Sequence, residues 1–95
     1  MTDYELTLVL DPQAAEEEPP AAVDGVSQFI AGKGGAVSEV NYWGKRRLAY
    51  PIKNLTEGTY VLVQFQLEPE DVIELESSLK LVTEVIRHLV VKREH

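Results

Sequence analysis

Thr59-Tyr60-Val61-Leu62-Val63-Gln64-Phe65-Gln66-Leu67 is the most strand-like stretch of the chain. Val61, Val63, Phe65 and Leu67 share one face, and Tyr60, Leu62, Gln64 and Gln66 share the other. β-branched and aromatic residues repeating with a period of two predict a strand with one buried side. The other side is not wholly polar. With the valine face inward, Tyr60 and Leu62 are expected to form an exposed apolar patch, the kind of surface that marks a protein interface.

Working outward, Asn54 to Gly58 reads as a turn, and before it comes Trp43-Gly44-Lys45-Arg46-Arg47-Leu48-Ala49-Tyr50-Pro51-Ile52. Residues 36–43 have strand character and the alternation resumes over 46–52, predicting one long strand bent near Gly44. Leu48, Tyr50 and Ile52 share parity, so Tyr50 reads either as core or as part of an interface. Gly32, Gly34 and Gly35 end a preceding amphipathic helix of about 19–32. Ala22, Val23, Val26, Phe29 and Ile30 form its apolar stripe. Glu16-Glu17-Glu18 before Pro19-Pro20 suits a helix start, with prolines in the first turn and acids at the positive end of the dipole. Earlier still, Tyr4, Leu6, Leu8 and Leu10 alternate with Asp3, Glu5 and Thr7, a half-buried strand that Asp11-Pro12 ends.

Downstream, Pro69-Glu70-Asp71 opens a second helix. Val72, Leu75 and Leu79 are its stripe, with Ile73 beside it and Lys80 in its last turn. Residues 84–92, rich in Val and Ile, read as the last strand. The order β-α-β-β-α-β predicts one α+β domain over residues 1–95, ferredoxin-like, with a four-stranded antiparallel sheet and two helices on one face. The uncovered face is then expected to carry the function.

Charge sharpens that expectation. From Lys33 to Lys53 there are five cations and one acid, a net of +4 on a chain of net charge −7. Such a site suits a local anion contact, and neighbouring aromatics point to nucleic acid. The acidic remainder argues against indiscriminate binding, so an RNA contact should be helped by a partner. Lys45, Arg46, Arg47 and Lys53 are the candidates on the basic strand, with Arg87, Lys92 and Arg93 as a second group. Arginine forms paired hydrogen bonds with phosphate. The competing reading is a solvated hairpin whose charges protect a sheet edge from aggregation.

Other chemistries find little support. The chain has no cysteine, which removes thiolate metal sites and cysteine nucleophiles. His88 reads as a partly exposed strand residue, and His95 ends the sequence. Lys33-Gly34-Gly35 lacks the spacing of a phosphate loop and reads as a helix stop. Asp11, Glu16, Glu17 and Glu18 read as a solvated helix start rather than a cation site. Neither a leader peptide nor a membrane span is indicated, and no cofactor is called for. An RNA-recognition motif would show its aromatic octapeptide on the third strand. Thr59–Gln66 lacks it, so RNA would be held by shape and phosphate rather than by stacked bases.

Several segments resemble, in order and spacing, the bacterial small-subunit ribosomal protein S-six family. They are Tyr4-Glu5, Leu10-Asp11-Pro12, the run from Trp43 to Ile52, Gly58-Thr59-Tyr60 and Val90-Val91-Lys92. The similarity spans nearly the whole chain, and W-G-[KR]-R-R-L-A-Y-P-I is its most specific part. It implies a cytoplasmic, ribosomal, non-enzymatic protein that binds 16S ribosomal RNA in the central domain, or platform, together with ribosomal protein S-eighteen. Carried onto this chain, it makes Arg46, Arg47 and Lys92 the leading RNA or partner contacts, and Tyr50, Tyr60 and Leu62 the protein-facing residues. Thr2 and Asp3 depart from the basic residues often found after Met1 in the family. Pro19-Pro20 and Gly25 depart from its usual first helix, and the sequence stops at His95 without the longer tail of some members. The alternative is a self-associating ferredoxin-like regulatory domain that binds a small ligand.

Overall fold

The computed structural model describes residues 1–17 and 19–93. Glu18 and His95, considered above, lie outside the described residues. The elements are β1 (Thr2–Leu10), a single 3-10 turn (Ala14–Glu16), α1 (Ala21–Gly32), β2 (Ala36–Ile52), β3 (Leu55–Leu67), α2 (Pro69–Leu79) and β4 (Val85–Lys92). The sheet order is β2-β3-β1-β4, and every neighbouring pair is antiparallel. This is the expected ferredoxin-like α+β architecture.

The alternation in β1 and β3 meets at one face. Leu6 pairs with Val63, Leu8 with Val61 and Tyr4 with Phe65. The Tyr4 and Phe65 rings stack, with centroids 5.6 Å apart. Val23, Val26 and Ile30 of α1 and Val72, Leu75 and Leu79 of α2 bury their stripes in the same cluster. Both helices therefore cover that face, and the other is open.

Local chemistry explains the boundaries. Pro20 caps α1 and the helix starts at Ala21, so Pro19 and Pro20 precede the first turn rather than occupy it. The Pro20 backbone is extended, with ψ at 142°, which makes it a cap and not a helical residue. At the other end the Gly35 amide donates to the Ile30 carbonyl and the Gly34 amide to that of Ala31, with Gly34 at φ 81°. That is the Schellman pattern. In α2 Pro69 takes the first position, as predicted, while Lys80 is the C-cap just beyond the helix and Ile73 points to solvent.

The hairpin turn differs from the sequence reading. It is two residues, Lys53 and Asn54, both at positive φ, and Ile52 pairs with Leu55. Two left-handed residues match the twist of the flanking strands, and asparagine tolerates that conformation. Residues 55–58, expected as turn, are thus the start of β3. They extend past β1, whose last partner in β3 is Thr59 opposite Leu10. Residues 45–58 form an arm that projects beyond the body of the sheet.

A candidate nucleic-acid interface on the hairpin arm

Register places the basic residues. Lys45 lies opposite Thr59, Arg46 opposite Gly58 and Arg47 opposite Glu57. Successive side chains alternate, so Arg46 points to the open side of the sheet while Lys45 and Arg47 point to the other. The predicted bend is present: the ladder shifts between Tyr42 and Gly44, and Gly44 has φ of 85°. A bulge with a left-handed glycine adds twist and re-aims the residues that follow. Tyr42 and Trp43, just before it, are exposed.

The arm's cations keep their charge available. The ion pairs among the described residues are Met1 amino to Glu68 (3.9 Å) and Lys33 to Glu74 (3.0 Å), so Lys45, Arg46, Arg47 and Lys53 form none there. Lys33 is held above its usual pKa chiefly by its hydrogen bond to Glu74. It belongs to the α1–α2 side, where its ammonium also lies 5.8 Å over the Phe29 ring, and not to the basic arm.

The second basic group does not stay together. Arg87 pairs in register with Val9, whereas Lys92 pairs with Tyr4. The Arg93 amide donates to the Asp3 carbonyl, and its guanidinium Nη1 donates to Gln64 Oε1 at 3.0 Å. At about 3.3 Å per residue, Arg87 and Arg93 are roughly 20 Å apart. Arg87 instead reaches the arm: its Nη1 donates to the Tyr50 hydroxyl at 3.1 Å. β4 and β2 are opposite edges of the sheet, so the arm must bend across to make that contact. Tyr50 is 57% exposed, which removes it from the core and leaves it on the surface.

The Tyr60 and Leu62 patch needs correction. Both lie on the open face as expected, since Leu62 pairs with Thr7 and Tyr60 with Val9. Leu62, however, is only 8% exposed, and Tyr60 is half-buried. Val9 and Ile86 are also buried, and all three lie outside the main core cluster. A small second apolar layer therefore sits on the open side, near the root of the arm. The large apolar side chains that do face solvent there are Leu89 (59%) and Val91 (50%), opposite Thr7 and Glu5. The sequence reading did not mark either as an exposed surface residue. Both faces of β4 are apolar, so alternation alone could not say which residues look outward. A shallow hollow of about 210 Å³ lies between Thr7, Val9, Tyr60, Arg87, His88 and Leu89.

Most of the run from Trp43 to Ile52 thus lies on the arm, and the whole chain can be compared with known proteins. The family model described as ribosomal protein S6 matches residues 3–92. The chain belongs to the ribosomal protein S6 family. Small ribosomal subunit protein bS6 of Moorella thermoacetica is 40% identical over 94 residues, which cover 99% of this chain and 96% of that protein. The bS6 protein of Dehalococcoides mccartyi strain CBDB1 is 37% identical over 96% of this chain and 84% of its own length. The crystal structure of 30S ribosomal protein S6 from Thermotoga maritima superposes with a TM-score of 0.87 at 30% identity, covering 97% of this chain and 87% of that one. The C-terminal domain of MgtC from Mycobacterium tuberculosis also aligns, with a TM-score of 0.68 at 13% identity, over 100% of this chain and 90% of that domain; it shares the fold alone. The S6 family is a structural, non-enzymatic family of the small ribosomal subunit. Among the described residues no helix is long and apolar enough to cross a membrane, and no group of three potential ligands could hold a metal ion.

Proposed function

We propose that this protein binds 16S ribosomal RNA in the central domain of the small subunit, jointly with ribosomal protein S-eighteen. The observation that carries this reading is the arm: Lys45, Arg46, Arg47 and Lys53, all exposed and without ion pairs among the described residues, on a chain of net charge −7. Phosphate contact needs cations that are free to leave water and counterions for the RNA. The arm meets that need locally, while the acidic remainder disfavours binding without a partner. Leu89 and Val91, with Arg87 between them and the arm, give a protein partner an apolar surface beside the RNA-binding one. Lys92 and Arg93, at the far end of β4, are assigned to a separate contact.

The test is a gel shift on a central-domain RNA fragment with this protein, with S-eighteen, and with both, at two salt concentrations. Tight, salt-sensitive binding by the pair alone is the expected result. A pair that binds no better than S-eighteen alone overturns the reading and returns attention to a self-associating regulatory domain.

A further inference from the structure

We propose that Tyr50 and Arg87 are positioning residues that pin the basic arm to the opposite edge of the sheet, over a seat that only glycine at position 58 leaves open. The role assigned to the pin rests on the RNA reading above; the pin itself does not. Three observations meet here. The Arg87 Nη1 to Tyr50 hydroxyl bond of 3.1 Å joins two edge strands that have β3 and β1 between them. At Gly58, a Cβ would clash with Val9 Cγ1 and lie 3.3 Å from Ile86 Cδ1 and 3.4 Å from Leu48 Cδ2. Those three side chains come from β1, β4 and the arm itself, so they close around the position where a side chain is missing. Finally, Val9 and Ile86 are buried although they lie outside the helix-covered core.

The geometry has a direct consequence for Arg46. It is the cross-strand partner of Gly58, so seating Gly58 against Val9 also sets the position of Arg46. Tyr50 lies four residues beyond, and its bond to Arg87 holds the outer part of the arm. A two-stranded ribbon alone is marginally ordered in water. Pinned at its root and at Tyr50, it presents its arginines with less ordering left to be done on docking, which raises affinity without adding a contact. Arg87 contributes by holding Tyr50, so its side chain is committed before any RNA arrives.

Tyr50→Phe removes the hydroxyl and keeps every cation. Hydrogen exchange of the free protein is expected to speed up about two- to tenfold at arm amides 46–56, the range for loss of one hydrogen bond, with amides 61–65 unchanged. RNA affinity of the variant paired with S-eighteen should fall by a similar factor while its salt slope stays that of the wild type, because no phosphate contact is lost. Tyr42→Phe, an exposed tyrosine on the same strand, is the control and should change neither. Unchanged exchange in Tyr50→Phe overturns the pin. Faster exchange with unchanged affinity, or a reduced salt slope, overturns the positioning role. A wild-type protein that adds nothing to RNA binding by S-eighteen overturns the RNA reading and the positioning role together, and exchange then still decides the pin.

Discussion

The two faces of the sheet use the same strands for different ends. On the covered face, Leu6, Leu8 and Leu10 of β1 and Val61, Val63, Phe65 and Leu67 of β3 are fully buried beneath α1 and α2. On the open face, the alternate residues run from Glu5, Thr7 and Gln64 to a small apolar layer of Val9, Leu62 and Ile86 near the arm. The covered face is continuous, and among the described residues no charged side chain is buried in it. The open face is divided, part solvated and part shielded, and charge projects from its end. Buried apolar packing is therefore concentrated on the covered side, although the residues of the two faces are neighbours in sequence.

The largest expected effect comes from breaking the covered face. Phe65→Ala should cost about 3–5 kcal/mol in urea unfolding, the range for emptying a buried aromatic site. A loss below about 1 kcal/mol would erase the contrast between the faces. Gly58→Ala acts on the shielded layer and should cost about 1–3 kcal/mol by overpacking. Val9 is β-branched and has little rotamer freedom with which to make room. If the same unfolding measurement shows no loss, the layer is looser than its burial indicates.

The charged end should behave in the opposite way. Paired reversal of Arg46→Glu and Arg47→Glu is expected to move stability by no more than about 0.5 kcal/mol. Its effect lies in assembly, where the slope of log affinity against log salt should shrink by about 2 as two phosphate contacts disappear. An unchanged slope would mean that the arm protects a sheet edge and does not touch phosphate.

The smallest effect belongs to Lys33 and Glu74, away from both the core and the arm. Glu74 raises the Lys33 pKa above 10.5, so the pair's contribution is present below that pH and is lost as pH rises through the folded-state value. Thermal melts of wild type and Glu74→Gln should therefore differ at neutral pH and converge in strong alkali. A difference that persists there would point to packing rather than charge.

Much of this division was legible before the structure. The period-two pattern in residues 3–10 and 59–67 named the core side of both central strands. The proline and acid signals marked where each helix begins, to within two residues. Lys45, Arg46 and Arg47 stood out by charge alone, and they are exposed, with no ion pair among the described residues. What escaped was the fate of the open face. Tyr60 and Leu62 were assigned to the correct side, but how far each is buried there depends on packing across the sheet that alternation does not record. Leu89 and Val91 were hidden by a strand apolar on both sides. Arg87, Lys92 and Arg93 looked like one group because they are close in sequence, yet a strand carries its ends far apart.

By itself, the sequence determined the elements, their order, the covered face, the basic run and the family motif. All of these depend on residues a few positions apart, where periodicity, capping and turn chemistry act through the local backbone. Only the tertiary structure decided that Tyr50 is exposed and meets Arg87, that Leu62 is shielded, and that Gly58 is the seat of the arm. Those facts depend on register, on the bulges in β2 and on strand order, which bring groups as distant in sequence as Val9 and Ile86 to the same Gly58. Side-chain pattern within a strand records which way a residue points; it holds no record of what arrives from the other edge to cover it.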